Sequence, residues 1–192
     1  MKLIEFLKFI LYLIVLVVVL VIVRTYVFSP VIVKGDSMDP TLENNERVIA
    51  LKFGEIQRFD IVTFPAPTEA DTNYIKRVIG LPGDTVSMSG DVLYINGEAI
   101  EEPYLDEYKS ELSEGEVLTW DFTFETLAQG YHGNPPVSQF TGVTTVPEGK
   151  LFVLGDNRRI SKDSRIIGFI DEDQIIGNVK YVFWPFDRFG SI

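Results

Sequence analysis

Cysteine is absent from the 192-residue chain, and histidine occurs once, at His132. Without Cys there is no disulfide framework, thiolate zinc site, iron–sulfur cluster or thiol nucleophile. One His excludes a two-His metal motif, so neither metal nor cofactor is expected. A Ser-His-Asp triad would have to use His132, which lies in a polar stretch where a solvated side chain is expected. A surplus of positive charge is also missing. The net charge is −11, which argues against nucleic acid as the main partner. Gly (15) and Pro (10) stand at ordinary levels, and 46% hydrophobic residues exclude a disordered chain.

The hydrophobic residues are unevenly spread. Phe9 to Val23 carry no charge, and the apolar run reaches back to Leu3 over Lys8 and Glu5. At about 1.5 Å per residue such a helix spans the roughly 30 Å hydrocarbon core, far longer than a strand. The first Ala is Ala50, so no A-x-A cleavage site follows the run, and Ser29 is blocked by Pro30. An uncleaved anchor in the lipid bilayer is expected, with its exit segment, over residues 1–28. Lys2, Lys8 and Arg24 against Glu5 leave residues 1–24 at net +2, while the rest holds 14 bases against 27 acids. A cytoplasmic N-terminus and an extracytoplasmic body follow, because an anionic inner leaflet repels an acidic body.

After Pro30 the pattern changes to short β runs between turn signals. Strands are predicted near Val31–Lys34, Arg47–Leu51, Asp60–Phe64, Tyr74–Ile79, Thr85–Met88, Val92–Ile95 and Glu98–Ile100. Further strands are predicted at Val117–Phe124, Leu151–Leu154, Ile166–Ile170 and Val179–Trp184, with one helical turn near Asp171–Ile175. Asn96-Gly97 signals a type I′ hairpin. The expected fold is therefore an all-β body behind one transmembrane α-helix. Its core is assigned to residues 29–100 and 148–192, and a small acidic insertion to residues 101–147. Within that insertion Glu101–Glu125 holds nine acids against Lys109.

Three clusters carry possible chemistry. Gly35-Asp36-Ser37-Met38-Asp39-Pro40-Thr41-Leu42 places Ser37 in a tight loop whose N–H groups suit an oxyanion. In Tyr74-Ile75-Lys76-Arg77-Val78-Ile79-Gly80-Leu81-Pro82-Gly83-Asp84, strand alternation puts Lys76 with Tyr74 and Val78, and Arg77 with Ile75 and Ile79. One of two adjacent cations must then face an apolar side. A desolvated Lys76 would be a neutral base at physiological pH. Gly155-Asp156-Asn157-Arg158-Arg159-Ile160-Ser161-Lys162-Asp163-Ser164-Arg165 is a polar loop in which Asp163 and Arg165 can pair. A fourth cluster, Arg58–Phe64, reads as a core strand.

Taken in chain order behind one anchor, the four clusters resemble the bacterial type I signal peptidases, membrane-bound serine proteases that remove signal peptides from exported proteins. The resemblance runs from the anchor to about Trp184 and is weakest over residues 101–147. It implies Ser37 as nucleophile, with its own N–H as oxyanion donor, and Lys76 as general base. Ser161 would position Lys76, and Asp163 with Arg165 would brace the site. Secretory preproteins would bind extended along Val31–Gly35 and Asn73–Lys76, contacting Val33, Gly35, Met38, Leu42, Asn73, Tyr74 and Ile75. Small side chains would be required at −1 and −3. Some members carry Ser two residues before the nucleophile; Gly35 here matches the Gram-positive form and leaves the remaining oxyanion donors open. Two other readings compete. A self-cleaving repressor-type Ser-Lys peptidase would carry a DNA-binding segment. A catalytically inactive anchored binding protein would share the scaffold. Nothing in the sequence assigns an oligomeric state.

Overall fold

The computed structural model describes residues 2–67 and 69–192; Met1 of the expected N-terminal tip and Thr68 lie outside them. Helix α1, Lys2–Tyr26, is built from Leu, Ile and Val, with mean hydropathy 3.2 in its central window. None of that window is buried in the protein, which fits a helix whose solvent is lipid. Val27 extends the helical hydrogen bonding by donating to Val23, and Lys52 Nζ caps the end by donating to the Thr25 carbonyl, 3.0 Å away.

The chain passes directly from α1 into β1 (Phe28–Ile32), then β2 (Arg47–Leu51), β3 (Ile61–Pro65) and β4 (Asn73–Gly80). Next come β5 (Val86–Ser89), β6 (Val92–Ile95) and β7 (Glu98–Ile100). Short helices α2 (Asp106–Ser110) and α3 (Phe124–Gln129) lead to β8 (Lys150–Leu154) and α4 (Ser164–Ile167). Strands β9 (Ile170–Asp171), β10 (Gly177–Trp184) and β11 (Gly190–Ser191) finish the fold. An antiparallel eight-stranded sheet runs β1-β2-β10-β3-β4-β8-β9, with β11 on the edge of β10. A second, three-stranded sheet is β5-β6-β7. Its β6–β7 hairpin turns at Asn96 and Gly97, both at positive φ (54° and 80°), as a type I′ turn requires.

The body is thus mostly antiparallel β-sheet, with three departures from the sequence pattern. β1 starts three residues earlier than expected and ends two residues earlier. The apolar run Val117–Phe124 forms no strand; only Phe122 bridges to Met88. Thr123 instead opens α3 through a reciprocal capping box with Thr126. Of Ile166–Ile170 only Ile170 joins a strand, β9, because the Asp163 carboxylate accepts from the Arg165 N–H and caps α4, which takes Ile166 and Ile167. The predicted turn near Asp171–Ile175 is a 3-10 turn, Glu172–Gln174.

Segment 101–147 turns its acids mostly outward and its apolar residues inward. Phe122, Phe124, Leu127, Tyr131, Phe140 and Val146 pack with Ile79, Val86, Leu93, Phe152 and Phe169 in one aromatic-rich core. Burying such rings is worth about 1.5–3 kcal/mol each, so the segment contributes to the body's stability. His132 is exposed and stacks on Trp120, ring centroids 4.4 Å apart.

Candidate active site

β4 is the strand on which the site is built. It lies between β3 and β8 and is buried from Ile75 to Gly80 on both faces, so both of its adjacent cations are desolvated. They meet different fates. Arg77 donates from Nε and Nη2 to the two Asp156 oxygens at 2.9 and 2.6 Å, and from Nη1 to the Phe59 carbonyl. Thr41 Oγ1 donates to Asp156 at 2.5 Å, and the Tyr104 ring covers the guanidinium at 3.9 Å. Lys76 has no carboxylate in contact among the described residues. Its Nζ donates to the Ile75 carbonyl at 2.9 Å and stands 2.7 Å from Ser37 Oγ.

Lys76 is 3% exposed. Burial lowers its pKa from 10.5 to about 8; the charges of Asp163 and Asp156 oppose that fall, and Arg165 adds to it. Each of those two carboxylates is held by its own guanidinium. Arg165 grips Asp163 with two 2.8 Å bonds, and Asp163 also accepts from the Gly155 N–H at 3.0 Å. Burial would push the Asp163 carboxyl up, but Arg165 and the Gly155 N–H outweigh it and hold the group below the ordinary carboxylate range. Arg165 reaches further, donating to the Arg158 carbonyl at 2.8 Å.

Ser37 sits on the loop after β1. Gly35 there takes φ 78°, a left-handed conformation that favours glycine, and its N–H donates to Asn44 Oδ1. The Ser37 carbonyl accepts from the Asn157 N–H at 3.1 Å, joining the serine loop to the loop after β8. At that junction a Cβ on Gly155 would lie 2.5 Å from the Ser37 carbonyl oxygen and 2.2 Å from Ser161 Oγ.

A cleft of about 520 Å³ opens at Ser37. Val33, Gly35, Met38, Asn73, Tyr74, Ile75 and Lys76 line it, joined by Lys34, Glu69, Thr72, Ile160 and Lys162, which the sequence reading did not single out. Leu42 is a correction: it is fully buried behind Val33 and Met38 and does not reach the cleft. Ser161 Oγ is buried and completes no hydrogen bond among the described residues; it lies near Asp163 and helps hold that carboxyl down. The Lys76 amine donates to its own neighbour, the Ile75 carbonyl.

A family model described as signal peptidase, peptidase S26, matches residues 3–184. The chain belongs to the signal peptidase family. Signal peptidase I of Bacillus caldolyticus is 46% identical over 171 residues, 87% of this chain and 85% of that protein. Signal peptidase IB of Staphylococcus aureus is 43% identical over 189 residues, 96% and 93% of the two chains. A crystal structure of a signal peptidase I from Enterococcus faecalis V583 is 45% identical, with TM-score 0.57, covering 65% of this chain and 97% of that one. Within this signal peptidase fold the sequence reading missed three groups. Thr41, Arg77 and Asp156 form one. Glu102, Tyr104 and Arg158 form another, in which Arg158 Nη2 bonds Glu102 and Nε donates to the Gly155 carbonyl. Ser164, whose Oγ accepts from the Val153 N–H at 2.9 Å, is the third. All but Glu102 and Tyr104 stand inside the quoted motifs, and that membership was the available signal.

Proposed function

We propose that this chain is a membrane-anchored serine endopeptidase that removes N-terminal signal peptides from secretory preproteins. The observation that carries the reading is the 2.7 Å approach of a desolvated Lys76 amine to Ser37 Oγ at the floor of a strand-lined cleft. Its family relatives bear the name signal peptidase.

With a pKa of about 8, roughly a tenth of Lys76 is neutral at pH 7, against less than a thousandth of a free lysine. The neutral amine takes the Ser37 proton as Oγ attacks the scissile carbonyl carbon. The Ser37 N–H stabilises the oxyanion. The resulting ammonium protonates the leaving amine, the mature product departs, and an ester to Ser37 remains. Lys76, neutral again, takes a proton from water as its oxygen attacks the ester; that proton returns to Ser37 Oγ as the signal peptide leaves as its carboxylic acid, which loses its remaining proton to solvent. Asp163 with Arg165, and Asp156 with Arg77, are read as braces that fix the two loops while keeping their charges internally neutralised. The preprotein lies extended against the strand residues of the cleft, adding main-chain hydrogen bonds, with small side chains at −1 and −3.

The body is placed outside the cytoplasmic membrane, with the N-terminus inside. The +2 tip and the acidic remainder support that orientation. Protease added to intact protoplasts should digest the body and spare a cytoplasmic control; full protection would reverse the orientation. Activity is tested with detergent-solubilised full chain on a signal-peptide precursor, beside Ser37→Ala. Loss of cleavage in the variant is expected, and equal cleavage by both would reject the proposal.

A further inference from the structure

Beyond the strand-lined cleft, a second and smaller cavity of about 170 Å³ lies against the same pair of loops, walled by Tyr108, Glu111, Leu112, Leu118, Asn157 and Arg159. Two hydrogen bonds join it to the Ser37 loop, and a third ties its own walls together. The Tyr108 hydroxyl donates to Asp39, two residues from Ser37. Asn157 Nδ2 donates to the Tyr108 hydroxyl at 3.4 Å, and the Asn157 N–H donates to the Ser37 carbonyl. Loop residues 157–162 divide between the two concavities: Ile160 and Lys162 line the cleft, Asn157 and Arg159 the cavity. A chain held in the cleft up to its scissile bond must leave Ser37 on another side, and this cavity is the adjoining hollow.

Its chemistry is specific. Leu112 and Leu118 offer apolar wall, and Leu118 is 3% exposed. Glu111 stands at the rim, exposed. The one cation, Arg159, is engaged by Glu116 at 3.6 Å. The surrounding field is negative. The Tyr108 hydroxyl is pushed well above its ordinary range by burial, by its bond to Asp39 and by the charges of Asp39, Glu111 and Glu107.

We propose that this cavity is a subsite for the first residues of the mature product, taking a side chain with an aliphatic stem and a cationic head, lysine or arginine, and disfavouring acidic residues. The stem covers Leu112 and Leu118 while the head stays wet beside Glu111. The inference rests on the peptidase reading above.

The test uses peptides with Ala at −1 and −3 and Lys, Ala or Glu at each of the first two positions after the scissile bond. They are cleaved by the solubilised full chain and by Glu111→Lys. An exposed charge pair predicts about a two- to fivefold higher kcat/KM for the Lys peptide than for the Glu peptide in the unaltered chain. Glu111→Lys should invert that order. A ratio taken within one variant is insensitive to partial misfolding. Equal rates for Lys and Glu peptides, or a preference unchanged by Glu111→Lys, would overturn the subsite while leaving the peptidase reading intact. Cleavage of none of the peptides would overturn both.

Discussion

Arg77 and Asp156 form a buried bidentate ion pair one residue along β4 from Lys76, with bonds of 2.9 and 2.6 Å. The pairing has an electrostatic consequence for its neighbour. Asp156 acts on Lys76 in the direction that raises its pKa, and the Arg77 guanidinium bonded to both Asp156 oxygens offsets that negative charge. Arg77→Met is expected to leave Asp156 uncompensated. The pH–rate profile should then move to higher pH, and stability should fall by about 3–5 kcal/mol. Adding Asp156→Asn should restore much of both. An unshifted profile in a folded Arg77→Met protein would disprove the electrostatic role.

Lys76 itself is expected to cost stability. Its folded pKa of about 8 lies below the 10.5 of an unfolded chain. Below pH 8 both states are protonated, and the penalty of burying the ammonium is fully present, about 3 kcal/mol. Between pH 8 and 10.5 the unfolded state binds more protons, so stability rises with pH and the penalty fades. Lys76→Met should therefore raise the melting temperature at pH 7 by several degrees, and the gain should shrink as pH climbs through that window. A Met variant less stable than the parent at pH 7 would contradict this.

Gly155 joins the two loops with no room to spare. Gly155→Ala would set a methyl 2.5 Å from the Ser37 carbonyl oxygen and 2.6 Å from Ser161 Cβ. Ser161 Oγ is nearer still, at 2.2 Å, but the Ser37 carbonyl is backbone and cannot turn aside, so the serine loop must move. A displacement near 1 Å is enough for roughly a 100-fold loss of activity. Ser161→Gly in the same chain removes only one of the two clashes and should recover only part of it. Cleavage by Gly155→Ala within twofold of the parent would refute the tight junction.

Much of this arrangement was legible in the sequence because it is local or repetitive. The apolar run of α1, the Asn96-Gly97 hairpin and the alternating strands follow from patterns a few residues long. Motif order singled out Ser37 and Lys76, which the structure brings within 2.7 Å. Two runs misled because apolar content was weighed above caps: Thr123 with Thr126, and Asp163 with Arg165, start helices where β-branched residues suggested strands. The ion pairs were out of reach for a different reason. Arg77 meets Asp156 across 79 residues and Arg158 meets Glu102 across 56, and no spacing rule links positions so far apart. Nor does alternation tell which of two adjacent cations is buried when, as in β4, both are.

The central claim is that a lysine amine deprotonated near neutrality activates Ser37. The most direct measurement is kcat/KM for a signal-peptide substrate between pH 6 and 10, which reports the free enzyme's ionisations. Activity should rise with pH along a single limb with its midpoint near 8, as neutral Lys76 forms. Lys76→Ala should lose about 10⁴-fold or more, and Lys76→Arg should not restore it, since guanidinium stays charged. A profile flat through pH 8, or near-parental cleavage by Lys76→Ala, would contradict the account.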